Sequence, residues 1–410
     1  MIKILASFRG EIQMKWFFRV LGYLFGLIFL LFSVLGFWAQ HWLPSVLVLV
    51  AFCLVFPPVR RLIGSRTGIR IHPWLRGISV PLLFILFLFI LMSTMGHPDS
   101  IYKNDEIRAG LMKIYDAKMK QWPDPHQVLE IDTRYGRVHV IVNGPEDAPA
   151  ILLLHASAMG SWSWVRNVGA LSQFYRTYAI DTIGDAGRSE LRDANVYPDS
   201  GKELADFYQA LMDSLGVQSA SVIGASQGGF IATNLALYAP HRVEKLIPCG
   251  PMGYTGTNLT VLKIIFTTLF PVRPLQTDCT RWAFGDDPDL IEDVSDWFSL
   301  ILNGVISRQA QPVPFTRDQF ESIQAPVLLL LGTKDGLVGD PEKTRQVVQV
   351  IPDVRVEILE TGHLIGYEKP EKFNRLLLEF LKVEDPSSRF RQYVPLNEST
   401  GDPDESLADR

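Results

Sequence analysis

Hydrophobic positions along this chain follow two regimes that change near residue 97. Before it the apolar runs are long and unbroken; after it they shorten and alternate with segments of helical spacing. Trp16 to Trp38 reads WFFRVLGYLFGLIFLLFSVLGFW, with one charge and an aromatic residue at each end, which predicts a membrane-spanning helix. Trp42 to Phe56 is shorter and stops at Pro57 and Pro58, so it reads as a short span or a re-entrant piece. Ile78 to Met95 carries no charge and is long enough to cross. Residues 1–96 are therefore expected to be a membrane region with two or three transmembrane helices. A cleaved signal peptide fits poorly, because further membrane-length runs follow the first.

Residues 97–127 read as a linker helix region, and from Val128 the period changes. Val128 to Ile131 and Val138 to Val142 predict paired strands around a turn at Tyr135 and Gly136. Short apolar or β-branched runs recur at Ala150 to Leu154, Tyr175 to Ile180, Ala220 to Ile223, Val243 to Ile247, Val327 to Leu331 and Arg355 to Leu359. Runs apolar on both faces predict strands covered by helices on both sides, an α/β layer architecture. Lys202 to Leu215 and Pro370 to Leu381 carry apolar residues at helical spacing. The long aromatic-rich stretch before Val327 exceeds what a connection needs and predicts an inserted helical cap at about 249–322. The polar tail, 385–410, is expected to be disordered.

Charge adds an orientation to this picture. Residues 1–96 hold nine Lys or Arg and one acidic residue, Glu11, leaving 30 basic against 43 acidic residues for 97–410. That acidic balance argues against a nucleic-acid partner. Lys3, Arg9, Lys15 and Arg19 surround the first run, and Arg60, Arg61, Arg66, Arg70 and Arg76 fill the loop before the third. Three crossings put both basic groups in the cytoplasm and the domain after Met95 outside the cell; two crossings reverse the domain's side. The basic loop also suits anionic headgroups on the cytoplasmic face. Cys249 and Cys279 lack metal-ligand spacing and read as two thiols or one disulfide.

The chemistry gathers at the ends of predicted strands. Ala220 to Ile223 runs into Gly224-Ala225-Ser226-Gln227-Gly228-Gly229, followed by an apolar helix from Phe230 to Tyr238. Small residues around Ser226 allow the tight strand-to-helix turn that lifts a hydroxyl out of a sheet. A serine hydroxyl needs an oriented base. Val327 to Leu331 leads to Gly332-Thr333-Lys334-Asp335, and Arg355 to Leu359 to Glu360-Thr361-Gly362-His363. In that order Ser226 is the expected nucleophile, His363 its base and Asp335 the carboxylate that holds the imidazole, with Asp340 as the alternative acid. The expected oxyanion hole takes the N–H of Gln227 and that of Ser157, in the loop His155-Ala156-Ser157-Ala158-Met159-Gly160. His155 is expected to pack and hydrogen-bond beneath that loop rather than act as a base.

Residues from about 128 to 384 resemble the α/β-hydrolase family, specifically its cap-bearing esterases of the fold-1 group and bacterial carboxylesterases. The likeness is carried by His155-Ala156, Asp181-Thr-Ile-Gly-Asp-Ala-Gly-Arg-Ser189, the Ser226 turn, Gly332-x-x-Asp335, and Gly362-His363 followed by Glu368-x-Pro370-Glu371. Two departures stand out: Ala156 replaces a glycine, and the Asp181 segment has one residue more than the family's D-x-x-G-x-G-x-S. The resemblance implies a mostly parallel sheet with helices on both faces and a cap, acyl-enzyme hydrolysis of carboxylic esters, and no metal or organic cofactor. The membrane segment adds the expectation of a hydrophobic or lipid-like ester at the cell membrane. A lactone, thioester, amide or peptide suits the same residues. An inactive hydrolase-like domain serving as a membrane-bound binding or signalling module is the alternative from another class.

Overall fold

A computed structural model describes residues 100–255, 272–285 and 287–381, with residues 56–67 and a few isolated positions elsewhere. Isolated positions aside, the three long apolar runs lie outside the described residues, as does the polar tail from 385. Among the described residues no helix is long and apolar enough to cross a membrane. Part of the stretch expected as a basic loop is helical, Pro57–Thr67, with Arg60, Arg61 and Arg66 on it. Its two leading prolines are compatible with a helix start, where a missing N–H forfeits no intrahelical bond.

Among the described residues nine strands form one sheet: β1 His126–Asp132, β2 Gly136–Asn143, β3 Ala150–Leu154, β4 Arg176–Ile180, β5 Glu190–Leu191, β6 Ala220–Ala225, β7 Val243–Cys249, β8 Val327–Gly332 and β9 Val354–Leu359. Their order is β1-β2-β4-β3-β6-β7-β8-β9, with the short β5 paired to β2. From β4 through β9 on this path all pairings are parallel, whereas β2 runs antiparallel to β1, β4 and β5. The apolar strands divide their residues between two cores. Ile151, Leu153, Leu328 and Leu330 enter one, while Leu152, Leu154, Leu329 and Leu331 enter the other. Alternation across the pleat explains why these runs must be apolar at every position.

The helix Gly201–Ser214 is capped by Ser200, whose side chain accepts the Glu203 N–H, and it buries Leu204, Phe207, Tyr208 and Leu211. The helix Pro370–Leu381 covers the other face with Phe373, Leu376, Leu377 and Leu378. Between β7 and β8 stand the helices Arg273–Phe284, Pro288–Gly304 and Arg317–Glu321. The helix Asp105–Met119 precedes the sheet and buries Leu111 and Tyr115. Lys118 at its end donates to Asp293 Oδ1 at 2.6 Å, tying it to the helix Pro288–Gly304. Asp293 also accepts from Arg166 and from the Tyr367 hydroxyl. One carboxylate thus joins four separate chain segments.

Candidate active site

Register decides which loops can meet. Leu154 at the end of β3 pairs with Gly224, Ala225 pairs with Cys249 on β7, and Gly332 of β8 pairs with Leu359 of β9. The loops carrying Ser157, Ser226, Asp335 and His363 therefore leave the same carboxyl-terminal edge, where sites collect in such sheets.

At Ser226 the chain turns from β6 into the helix Gln227–Tyr238 with φ 52° and ψ −111°, a conformation costing a non-glycine residue about 1–3 kcal/mol. Close backbone packing holds it there. A Cβ on Gly224 would lie 2.2 Å from the Gly228 carbonyl oxygen, and one on Gly228 would lie 2.2 Å from the Leu154 oxygen. The Ser226 N–H donates to the Cys249 carbonyl at 2.9 Å, while its own carbonyl accepts from Phe230 and Met252 N–H groups, each at 3.1 Å. The residue is 6% exposed.

His363 Nδ1 and Asp335 Oδ2 are 2.7 Å apart, and both side chains are buried. Asp335 Oδ1 accepts the Leu337 N–H at 2.8 Å and the Val338 N–H at 3.2 Å, so its carboxyl plane is set by backbone. His363 Nε2 is buried and has no hydrogen-bond partner among the described residues. Gly250 directly follows Cys249, the acceptor of the Ser226 N–H, and packs against the pair. A Cβ there would come within 3.1 Å of Asp335 Oδ2 and 3.3 Å of His363 Nδ1, at a φ of +50°. Asp340, the alternative acid, instead caps the helix Pro341–Val348 and accepts the Glu342 N–H at 2.9 Å.

In the loop after β3, His155 sits beneath the chain. Its Nε2 accepts the Thr182 N–H at 2.9 Å, which leaves Nδ1 as donor to the Ala156 carbonyl at 2.8 Å. Because C=O and N–H point opposite ways in a trans peptide, the Ser157 N–H is directed away from His155. Ser157 is exposed at the loop tip. Gln227 opens a helix, so its N–H lacks an intrahelical acceptor, and its side chain donates to the Ala310 carbonyl at 2.9 Å. A cavity of about 30 Å³ is lined by Ala156, Ala225, Cys249, His363 and Leu364, among others. A larger cavity, about 590 Å³, borders Gly144 and Arg176 at the opposite edge of the sheet, away from these residues. Cys249 and Cys279 are buried and unbridged.

Several groups to which the sequence alone assigns no role shape these loops. Asp181 accepts the Ser161 N–H at 2.7 Å and the Arg188 N–H at 2.7 Å, and Trp297 Nε1 donates to the Ala158 carbonyl at 2.7 Å. Glu368 accepts the Gly362 N–H at 3.0 Å, next to His363. Burial pushes the Glu368 carboxyl up to about 7, with Asp287 and Asp335 adding to the rise and the Gly362 bond opposing it. The folded state therefore holds this proton more tightly than the unfolded chain. Stability from this group is complete below about pH 4.5 and is lost as pH rises through about 7. Glu368→Gln keeps an acceptor for Gly362 and removes the titration. Its melting temperature should fall less steeply across that window than the parent's, and parallel curves would dismiss Glu368 as the cause.

The comparisons with known proteins agree with this architecture. Residues 151–376 match the model of the Alpha/beta hydrolase family. The chain is 31% identical to carboxylesterase YbfK of Bacillus subtilis over 276 residues, 65% of this chain and 92% of that protein. It is 27% identical to the uncharacterized carboxylesterase nap of the same organism, covering 72% of this chain and 99% of the relative. The crystal structure of the YbfK esterase superposes with a TM-score of 0.60 at 28% identity, over 68% of this chain and 99% of that one. That of naproxen esterase from Bacillus subtilis gives 0.61 at 26%, over 67% and 98%. Since the family match starts at β3, passes over the inserted helices and ends within the last described helix, this chain belongs to the alpha/beta hydrolase family.

Proposed function

We propose that this protein is a membrane-anchored serine hydrolase that cleaves carboxylic esters through an acyl-enzyme intermediate. The observation that carries the reading is the buried His363–Asp335 pair at 2.7 Å, its Nε2 without a partner among the described residues, on the same sheet edge as a serine on a strained turn. Ser226 Oγ attacks the ester carbonyl carbon as its proton passes to His363 Nε2. Asp335 holds Nδ1–H and stabilises the imidazolium that forms. The N–H groups of Ser157 and Gln227 receive the oxyanion. Collapse of the tetrahedral species expels the alcohol, which takes the proton from Nε2. Water then repeats the sequence and releases the acid.

Two carboxylesterase relatives covered over more than nine-tenths of their length support an ester as substrate. The apolar runs before residue 97 support a hydrophobic or lipid-like ester met at the cell membrane, with the catalytic domain on its outer side. Membranes containing the full chain, treated with a fluorescent fluorophosphonate, should show a labelled band that Ser226→Ala loses. Equal labelling, or none in either, sinks the serine reading. A series of p-nitrophenyl esters of increasing acyl length tests the substrate class, and steep preference for acetyl or butyryl groups defeats the lipid-like one.

A further inference from the structure

Beneath the loop after β3 lies a carboxylate that the chemistry above does not use. Asp185 is fully buried, and both its oxygens are engaged. Oδ2 accepts the Ala158 N–H at 2.9 Å; Oδ1 accepts the Ala186 N–H at 2.8 Å and the Ser307 hydroxyl at 2.7 Å. These partners come from three places. Ala158 is in the loop that carries Ser157, Ala186 is in the acid's own loop, and Ser307 lies where the chain leaves the helix Pro288–Gly304 on its way to β8. The adjacent backbone repeats the link, since the Arg308 N–H donates to the Gly184 carbonyl at 2.6 Å.

Ala158 needs such support. Its φ is +63°, in the left-handed region that favours glycine. Both of its backbone polar groups are pinned, the N–H by Asp185 and the carbonyl by Trp297. The Ser157 and Ala158 N–H groups belong to peptide units joined at the Ser157 Cα, so a shift of the peptide before Ala158 displaces the Cα from which the Ser157 N–H is aimed. The Asp181–Ser189 segment that supplies Asp185 is also the one with an additional residue relative to the family pattern.

We infer that Asp185 is a positioning residue: it holds Ala158 in its left-handed conformation, thereby aims the Ser157 N–H at the oxyanion, and through Ser307 ties that aim to the segment leaving the cap. This rests on the proposed serine mechanism. In Asp185→Asn the single amide oxygen is best placed at the position that serves two donors. The amide nitrogen then faces the Ala158 N–H, two donors in opposition.

The test uses the full-length chain in detergent and an alkyl trifluoromethyl ketone. Serine Oγ adds to the ketone carbon, the serine proton goes to histidine, and the carbonyl oxygen becomes an oxyanion in the hole. Asp185→Asn should weaken inhibition roughly 10–100-fold and lower kcat by a similar factor while KM stays within about threefold, below the full loss of an oxyanion donor. Ser307→Ala, a milder change, should weaken inhibition about three- to tenfold on the same scale. A merely structural role would lower the melting temperature without moving ketone affinity in step with kcat. Folded Asp185→Asn with parental ketone affinity overturns the inference. If that variant does not fold, Ser307→Ala with parental affinity overturns it. A parent that neither binds the ketone nor takes up fluorophosphonate refutes the serine mechanism instead, a result read before any variant is compared.

Discussion

A Ser226→Ala/His363→Gln double variant is expected to hydrolyse an ester about as slowly as either single variant, with kcat lowered roughly 10⁵–10⁶-fold in all three. In the proposed mechanism the hydroxyl and the imidazole act on one proton, so removing either removes the step that the other serves. What survives is the contribution of substrate binding and the oxyanion N–H groups, which neither substitution touches. Alanine at 226 retains the Cβ and the backbone bonds to Cys249, Phe230 and Met252, so the turn should keep its shape. Glutamine suits 363 better than alanine because its amide can still donate to Asp335, whose buried charge would otherwise lose a partner. Rates at saturating p-nitrophenyl ester, beside melting temperatures for all three proteins, make the comparison. Effects that multiply in the double variant would show that the two residues work in separate steps, and the mechanism would have to be abandoned.

Ser226, Asp335 and His363 stand out as candidates in the sequence because each lies a few positions past an apolar strand. Between β6 and the helix Gln227–Tyr238 the signal is local: a run of small residues can only be a tight turn when strand and helix press on it from both sides. Asp335 and His363 are 28 positions apart, yet the parallel register of β8 and β9 converts two similar local patterns into neighbours. Direction was not legible. Periodicity marked β2 as a strand, but nothing in its residues says that it runs antiparallel to β4. The basic stretch after Phe56 reads as a loop when proline is taken to end a run, although proline equally begins a helix. The contacts of Asp185, Trp297 and Ser307 are not legible in the sequence, for a different reason. Their contacts join residues 27, 139 and 122 positions apart, through an inserted segment whose placement no local pattern encodes.

Asp335→Asn is expected to lower kcat about 10⁴-fold with little change in KM or melting temperature. The carboxyl is oriented by two backbone donors on Oδ1, Leu337 and Val338 N–H, so an asparagine would keep its oxygen there. Its amide nitrogen then occupies the position of Oδ2, 2.7 Å from His363 Nδ1, and presents hydrogens to it. Nδ1 must become the acceptor, which moves the ring's proton to Nε2. An imidazole protonated at Nε2 cannot receive the Ser226 proton, and no nearby charge remains to stabilise an imidazolium. The loss is therefore one of tautomer and charge, with shape and packing preserved. Asp340→Asn supplies the contrast. Asparagine caps a helix as well as aspartate does, so that variant should keep both rate and stability near the parent's. The chain order alone left both acids available; the geometry separates them. A steep loss in Asp340→Asn together with an active Asp335→Asn would mean that the loop after β8 rearranges before reaction, and the assignment of the acid would pass to Asp340.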